Sequence, residues 1–148
     1  MCKLAVRNDP RIKVFEYEIE KKLQGETYHL VKQLLEEPFA KEQYDFSLIL
    51  GQDNANIFHK WVNYQDLERM IRCVIVRRKG TLPDPTVDWY LKPPHIYLIG
   101  DGENPVIECK STEIRQARRE DRFSDVRDKI DSQVYDYIEK HNLYREQI

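Results

Sequence analysis

Apolar and polar positions along the chain fall into two rhythms, and the change from one to the other marks out the elements. Leu30, Val31, Leu34 and Leu35 share one face at helical spacing, which predicts a helix from Thr27, as its cap, to about Glu37, ended by Pro38. Phe46–Leu50, Arg72–Arg77 and His95–Ile99 are short apolar runs closed by polar or glycine residues. Runs of this kind are the strands of parallel sheets, whose two covered faces remove the polar alternation. Ile12 to Ile19 does alternate, through Ile12, Val14, Phe15, Tyr17 and Ile19, and predicts a further strand.

Between these runs the pattern is helical or irregular. Cys2 to Asn8 reads as the end of a helix closed by Asp9-Pro10. Gln24-Gly25-Glu26 turns the chain. Short helices are expected over Asp53–Lys60 and from about Tyr64 to Met70. Thr81–Pro94 carries four of the seven prolines and reads as a loop. Gly100-Asp101-Gly102 reads as a turn and Val106–Cys109 as a short extended piece. Ser111-Thr112 opens another helix, with more helical turns over Val126–Ile130 and Val134–His141. Strands alternating with helices predict an α/β fold, a Rossmann-like three-layer parallel sheet, in one domain spanning 1–148.

Composition narrows the classes. The 148 residues are 41% hydrophobic and 34% charged, the balance of a folded globular chain. With 24 Lys+Arg against 26 Asp+Glu, the formal net charge is -2. That gives no global attraction to nucleic acid or to an anionic membrane, so phosphate binding has to come from local basic clusters. No apolar stretch suffices to span a bilayer. Cys2, Cys73 and Cys109 are odd in number and form no CxxC pair, which argues against zinc-ribbon and thioredoxin chemistry and fits a reducing cytoplasm. Cys73, inside an apolar run, reads as a small core residue. His29, His59, His95 and His141 form no close pair, so histidine metal binding and a histidine-based catalytic pair are unsupported. His95 reads as structural and His141 as exposed.

The chemistry concentrates at strand and helix ends. Gly51 and Asp53 follow the Phe46–Leu50 run, at the carboxyl edge where open α/β sheets bind ligands. The glycine lets a ligand approach the backbone, and the carboxylate can accept hydrogen bonds from ribose hydroxyls. The alternative is a plain turn in which Asp53 caps the next helix. Arg77-Arg78-Lys79-Gly80 ends the next strand on the same edge, where guanidinium groups suit phosphate; a solvated basic turn is the competing reading. Ser111 and Thr112 start a helix with Arg115 one turn inside, an anion site in form or merely a capped helix with a surface arginine. Trp61 is either a stacking platform for an aromatic ring or a core tryptophan.

In this order, Glu26-Thr27-Tyr28, Leu48-Ile49-Leu50-Gly51-Gln52-Asp53, Trp61, Val74-Ile75-Val76-Arg77-Arg78, Lys110-Ser111-Thr112-Glu113-Ile114-Arg115 and the closing Val134–Tyr144 segment resemble bacterial nicotinate-nucleotide adenylyltransferase, an enzyme of NAD biosynthesis with a nucleotidyltransferase fold. The resemblance implies transfer of the adenylyl group of ATP to nicotinate mononucleotide, giving deamido-NAD and pyrophosphate, with Mg2+ accompanying ATP. It implies that Gly51 and Asp53 hold the ATP ribose and that Ser111, Thr112 and Arg115 bind the ATP phosphates. It further implies that Trp61 stacks on the nicotinate ring, Arg78 lies near the mononucleotide phosphate, and Thr27 and His29 stand at the ring carboxylate. His29 stands where the family has a threonine, either donating a hydrogen bond in its place or shifting the preference toward the amide form, and Lys110 stands where the family has a serine. The family's His-x-Gly-His motif does not occur in these residues. The expectation is therefore an N-terminally truncated domain with impaired transfer by itself, completed by a partner or a second copy, or else a non-catalytic nucleotide-binding or scaffold remnant.

Overall fold

The computed structural model describes residues 1–7, 9–100 and 110–145. In chain order its elements are α1 (Cys2–Val6), α2 (Tyr17–Glu20), α3 (Thr27–Glu36), α4 (Pro38–Gln43), β1 (Ser47–Gly51), α5 (Gln52–Asn56), α6 (Tyr64–Met70), β2 (Arg72–Val76), β3 (Ile96–Leu98), α7 (Ser111–Arg119) and α8 (Ser132–Lys140). Short 3₁₀ turns occupy Phe58–Lys60, Trp89–Leu91 and Phe123–Lys129. The chain divides into two compact units, one formed by Tyr17–Glu108 and the other by Met1–Glu16 with Cys109–Ile148.

The Tyr17–Glu108 unit is built on a parallel sheet in the order β1-β2-β3. All three apolar runs are strands, as their pattern requires. Strand alternation sends Leu50, Cys73 and Ile75 to the face where Val31 of α3, Ala55 of α5, Phe58 and Leu67 of α6 form a buried core with Tyr90. Fully burying a side chain such as Leu67 contributes about 2 kcal/mol. The opposite face, at register row Ile49–Val74–Ile96, is more open: Ile49 is 70% exposed. The unbroken apolar run around Ile49 therefore does not have both faces covered. His95 is structural, as expected: its Nδ1 accepts a hydrogen bond from the Cys73 backbone N–H at 3.1 Å, and burial lowers its pKa. Burial also pushes the Cys73 thiol up to about 12.

Two local expectations fail. Ile12–Ile19 is not a strand; residues 11–16 have no regular structure and Tyr17–Glu20 is a helical turn. Alternation there arises because Tyr17 alone is buried, its hydroxyl donating to Glu37 at 2.7 Å, while Ile12, Phe15 and Ile19 are exposed. Pro38 ends α3 but also starts α4, because proline's fixed φ and missing N–H suit a first helical position. The Val106–Cys109 piece and most of the Gly100–Gly102 turn lie outside the described residues.

In the other unit, Ala117 of α7, Phe123, Val126 and the α8 residues Tyr135 and Ile138 form a separate core, with Phe123 and Tyr135 stacked at 4.3 Å. Arg118 is buried against it. Its guanidinium lies over the Phe123 ring and donates to Glu139, Asn142 and the Leu143 carbonyl. That ties the end of α8 to α7. Asp131 caps α8 by accepting from the Gln133 and Val134 amides. Among the described residues no helix is long and apolar enough to cross a membrane.

Candidate functional site

The Tyr17–Glu108 unit presents two clusters of the expected residues. The first sits where β1 becomes α5. Gly51 ends the strand and is the residue before the helix. Asp53 occupies the first turn of α5 but makes no capping bond, so the plain-turn reading, in which its carboxylate caps the helix, fails. The carboxylate turns instead toward Arg78, whose Nη1 lies 3.4 Å from Asp53 Oδ2. Arg78 follows β2, and the register Gly51–Val76 brings the two strand ends level. The pair closes over Gly51: a Cβ there would stand 2.5 Å from Asp53 Oδ1 and 3.0 Å from Arg78 Nε. Glycine is needed for close approach, not for its φ, which is -73°.

Gln52, between them, is fully buried and was not foreseen as important. Its Nε2 donates to Asn56 Oδ1 at 3.0 Å and to the Tyr90 hydroxyl at 3.1 Å. Asn56 in turn donates to the Leu82 carbonyl and accepts from the Asp84 amide. This chain of bonds pins the proline-rich loop to the strand end. The one legible signal was a polar residue between Gly51 and Asp53 at a position that faces inward.

The second cluster is a cavity of about 320 Å³ lined by Gly25, Glu26, Thr27, Tyr28, Lys60, Trp61 and Val62. Gly25, at φ 102°, makes the turn that delivers the start of α3 to this cavity. Thr27 is the first helical residue and not the cap; Glu26 holds the cap position without a side-chain bond. Trp61 is half-buried, packed at 5.3 Å from the Phe58 ring with another part of its surface on the cavity, so it is both core-packed and available. His29 is exposed beside Glu26, with Nε2 3.6 Å from its carboxylate, and does not line the cavity. Tyr28 and Lys60 do. A cavity of roughly 300–1,000 Å³ is ordinary for a small-molecule site.

The third group lies in the other unit. Ser111 and Thr112 are the first residues of α7, exposed, after Lys110 at the cap position. Arg115 is half-buried one turn on. Neither hydroxyl caps the helix, which leaves the Ser111 and Thr112 amides available to an anion, while the Glu113 amide donates to the Lys110 carbonyl at 3.0 Å. Glu113, also in that turn, is engaged by Lys129.

The chain is 28% identical to a "Probable nicotinate-nucleotide adenylyltransferase" of Clostridium tetani, over 98% of this chain and 71% of that protein. A protein of the same name from Flavobacterium psychrophilum is 26% identical over 98% of this chain and 70% of its own length. A third, from Leptospira borgpetersenii, is 34% identical over 68% of this chain and 47% of its length. Over nearly its whole length the chain is similar to nicotinate-nucleotide adenylyltransferases. No family model matches it. The parallel sheet with Gly51 and Asp53 at its carboxyl edge is the α/β framework that this likeness leads one to expect. Trp61 and Thr27 meet at one cavity and Asp53 meets Arg78, while His29 stands apart from the cavity lining.

Proposed function

We propose that this chain binds nicotinate mononucleotide and ATP and transfers the adenylyl group between them, yielding deamido-NAD and pyrophosphate. The cavity that unites Thr27 and Tyr28 with Trp61 carries the proposal, because it offers a flat aromatic wall and polar groups to a single ring. The nicotinate ring stacks on Trp61, with Thr27 on the side of its carboxylate and His29 outside the cavity lining. Arg78 receives the mononucleotide phosphate. Asp53, across the close-approach position at Gly51, accepts from the ribose hydroxyls of ATP. Ser111, Thr112 and Arg115 bind ATP phosphates at the start of α7.

In the reaction a phosphate oxygen of the mononucleotide attacks the α-phosphorus of ATP. The bond from that phosphorus to the bridging oxygen breaks, and pyrophosphate leaves. No covalent enzyme intermediate is required, so positioning and charge stabilisation by arginine and helix-start amides dominate. Magnesium arrives with ATP as its phosphate complex; among the described residues no three His, Cys, Asp or Glu side chains gather to hold a metal. The 148 residues contain no His-x-Gly-His, so the proposed rate for this chain alone is low.

The test is calorimetric titration with each substrate, followed by an assay of pyrophosphate release. Both ligands bind and turnover is slow if the reading holds. If neither ligand binds, the chain is a scaffold and the proposal fails. A rate equal to that of the Clostridium tetani relative would overturn the expectation of impairment alone.

A further inference from the structure

The cavity beside Trp61 is lined by one charge of each sign, in different surroundings. Two charged side chains line it, Glu26 and Lys60. Glu26 has the His29 imidazole 3.6 Å away. Lys60 forms no ion pair among the described residues. The cavity wall also includes the opening residues of α3, a ten-residue helix with Glu26 at its cap position; the helix start, through its dipole and the Thr27 and Tyr28 amides, favours a negative charge. Thus one lysine and a helix start share the cavity lining with Trp61, while the single carboxylate there has an imidazole beside it.

We propose that Lys60 is the specificity-determining residue of this site and selects a pyridine mononucleotide whose ring bears a carboxylate over one bearing an amide. The inference rests on the mononucleotide reading above and adds to it the side chain that discriminates. Lysine suits the task as a mobile point charge able to follow a small anion. It stands one residue before Trp61, so the ring platform and the charge move together. Glu26 opposes this preference, and His29 moderates the opposition. The threonine-to-histidine change at position 29 then tunes the acid preference from outside the cavity instead of replacing the carboxylate contact.

Binding of nicotinate mononucleotide and of nicotinamide mononucleotide to the full chain, followed by tryptophan fluorescence and calorimetry, tests the proposal. The wild-type chain prefers the acid by about fivefold, the upper range for a solvent-accessible ion pair. Lys60→Met abolishes that preference by weakening the acid alone, Lys60→Arg keeps it, and Glu26→Gln increases it. An unchanged acid-to-amide ratio in Lys60→Met, a parallel loss of both ligands, or a wild-type preference for the amide each overturns the inference while leaving the ring site standing. Failure of both mononucleotides to bind the wild-type chain overturns the functional reading itself and the inference with it.

Discussion

Gly51→Ala separates the role of the strand end in binding from its role in stability. The alanine backbone is unstrained, because Gly51 sits at φ -73° and ψ 156°. The cost lies in the added methyl, which would stand 2.5 Å from Asp53 Oδ1, 3.0 Å from Arg78 Nε and 3.2 Å from Arg78 Cζ. All three belong to side chains that can rotate away into solvent, Asp53 being 50% and Arg78 37% exposed. Losing this ion pair costs about 0–1 kcal/mol, and removing a glycine from the unfolded chain returns about 0.4–1 kcal/mol. The net change in stability is close to zero, so the melting temperature moves by no more than about 2–4 °C. Binding responds differently. The methyl drives the carboxylate from above the strand end, and a lost hydrogen bond to a charged group costs about 2 kcal/mol, or roughly 30-fold in ATP affinity. Calorimetric titration with ATP beside a thermal melt reads both quantities, and Asp53→Ala should reproduce the affinity loss. Unaltered ATP affinity in Gly51→Ala refutes the placement of the nucleotide here; a melting temperature more than 10 °C lower (about three times the shift expected) refutes the view that the ion pair is structurally dispensable.

Trp61→Ala should weaken nicotinate mononucleotide by about 5- to 150-fold, from the loss of a stacking surface worth about 1–3 kcal/mol, and leave ATP affinity intact; Trp61→Phe should recover most of the loss in the same titration. Gln52→Leu removes a part-buried hydrogen bond to Asn56 and a buried one to Tyr90, but also a buried Oε1 that has no partner among the described residues. A net destabilisation of about 1–2 kcal/mol in urea is expected, with faster amide exchange at Asp84; an unchanged midpoint would show that Gln52 does not anchor the loop. Stability should also depend on pH through the Tyr17–Glu37 bond. The Tyr17 hydroxyl and Lys21 lower the Glu37 pKa, so its contribution is present above the ordinary carboxylate range and is lost as pH falls through that lowered value. Burial and the Glu37 bond push Tyr17 up to about 12, so its contribution is full below the ordinary tyrosine value and is lost as pH rises through about 12. Tyr17→Phe should flatten both limbs of a stability-against-pH curve, and retention of either limb would assign it to another group.

Local pattern alone determined the parallel strands, the span of α6 and the candidate edge. Short apolar runs ending in glycine or arginine have few other places to go, and chain order made the Gly-Gln-Asp and Arg-Arg segments neighbours. The burial of Cys73 and the structural role of His95 were legible for the same reason, since each lies in or next to a strand. Tertiary structure decided the rest. Ile12–Ile19 and Tyr17–Glu20 show that alternation cannot distinguish a strand from a segment that buries one tyrosine. The exposure of Ile49 depends on what covers the sheet, which no periodicity records. Gln52 reads as an ordinary polar residue until folding sets Asn56 and Tyr90 around its amide. Lys60 and Glu26 are distant in sequence and each looks like surface charge; they acquire a joint meaning only because α3 and the Phe58–Lys60 turn close the same cavity. Side-chain chemistry is written residue by residue, but charge balance and hydrogen-bond satisfaction are properties of neighbours in space.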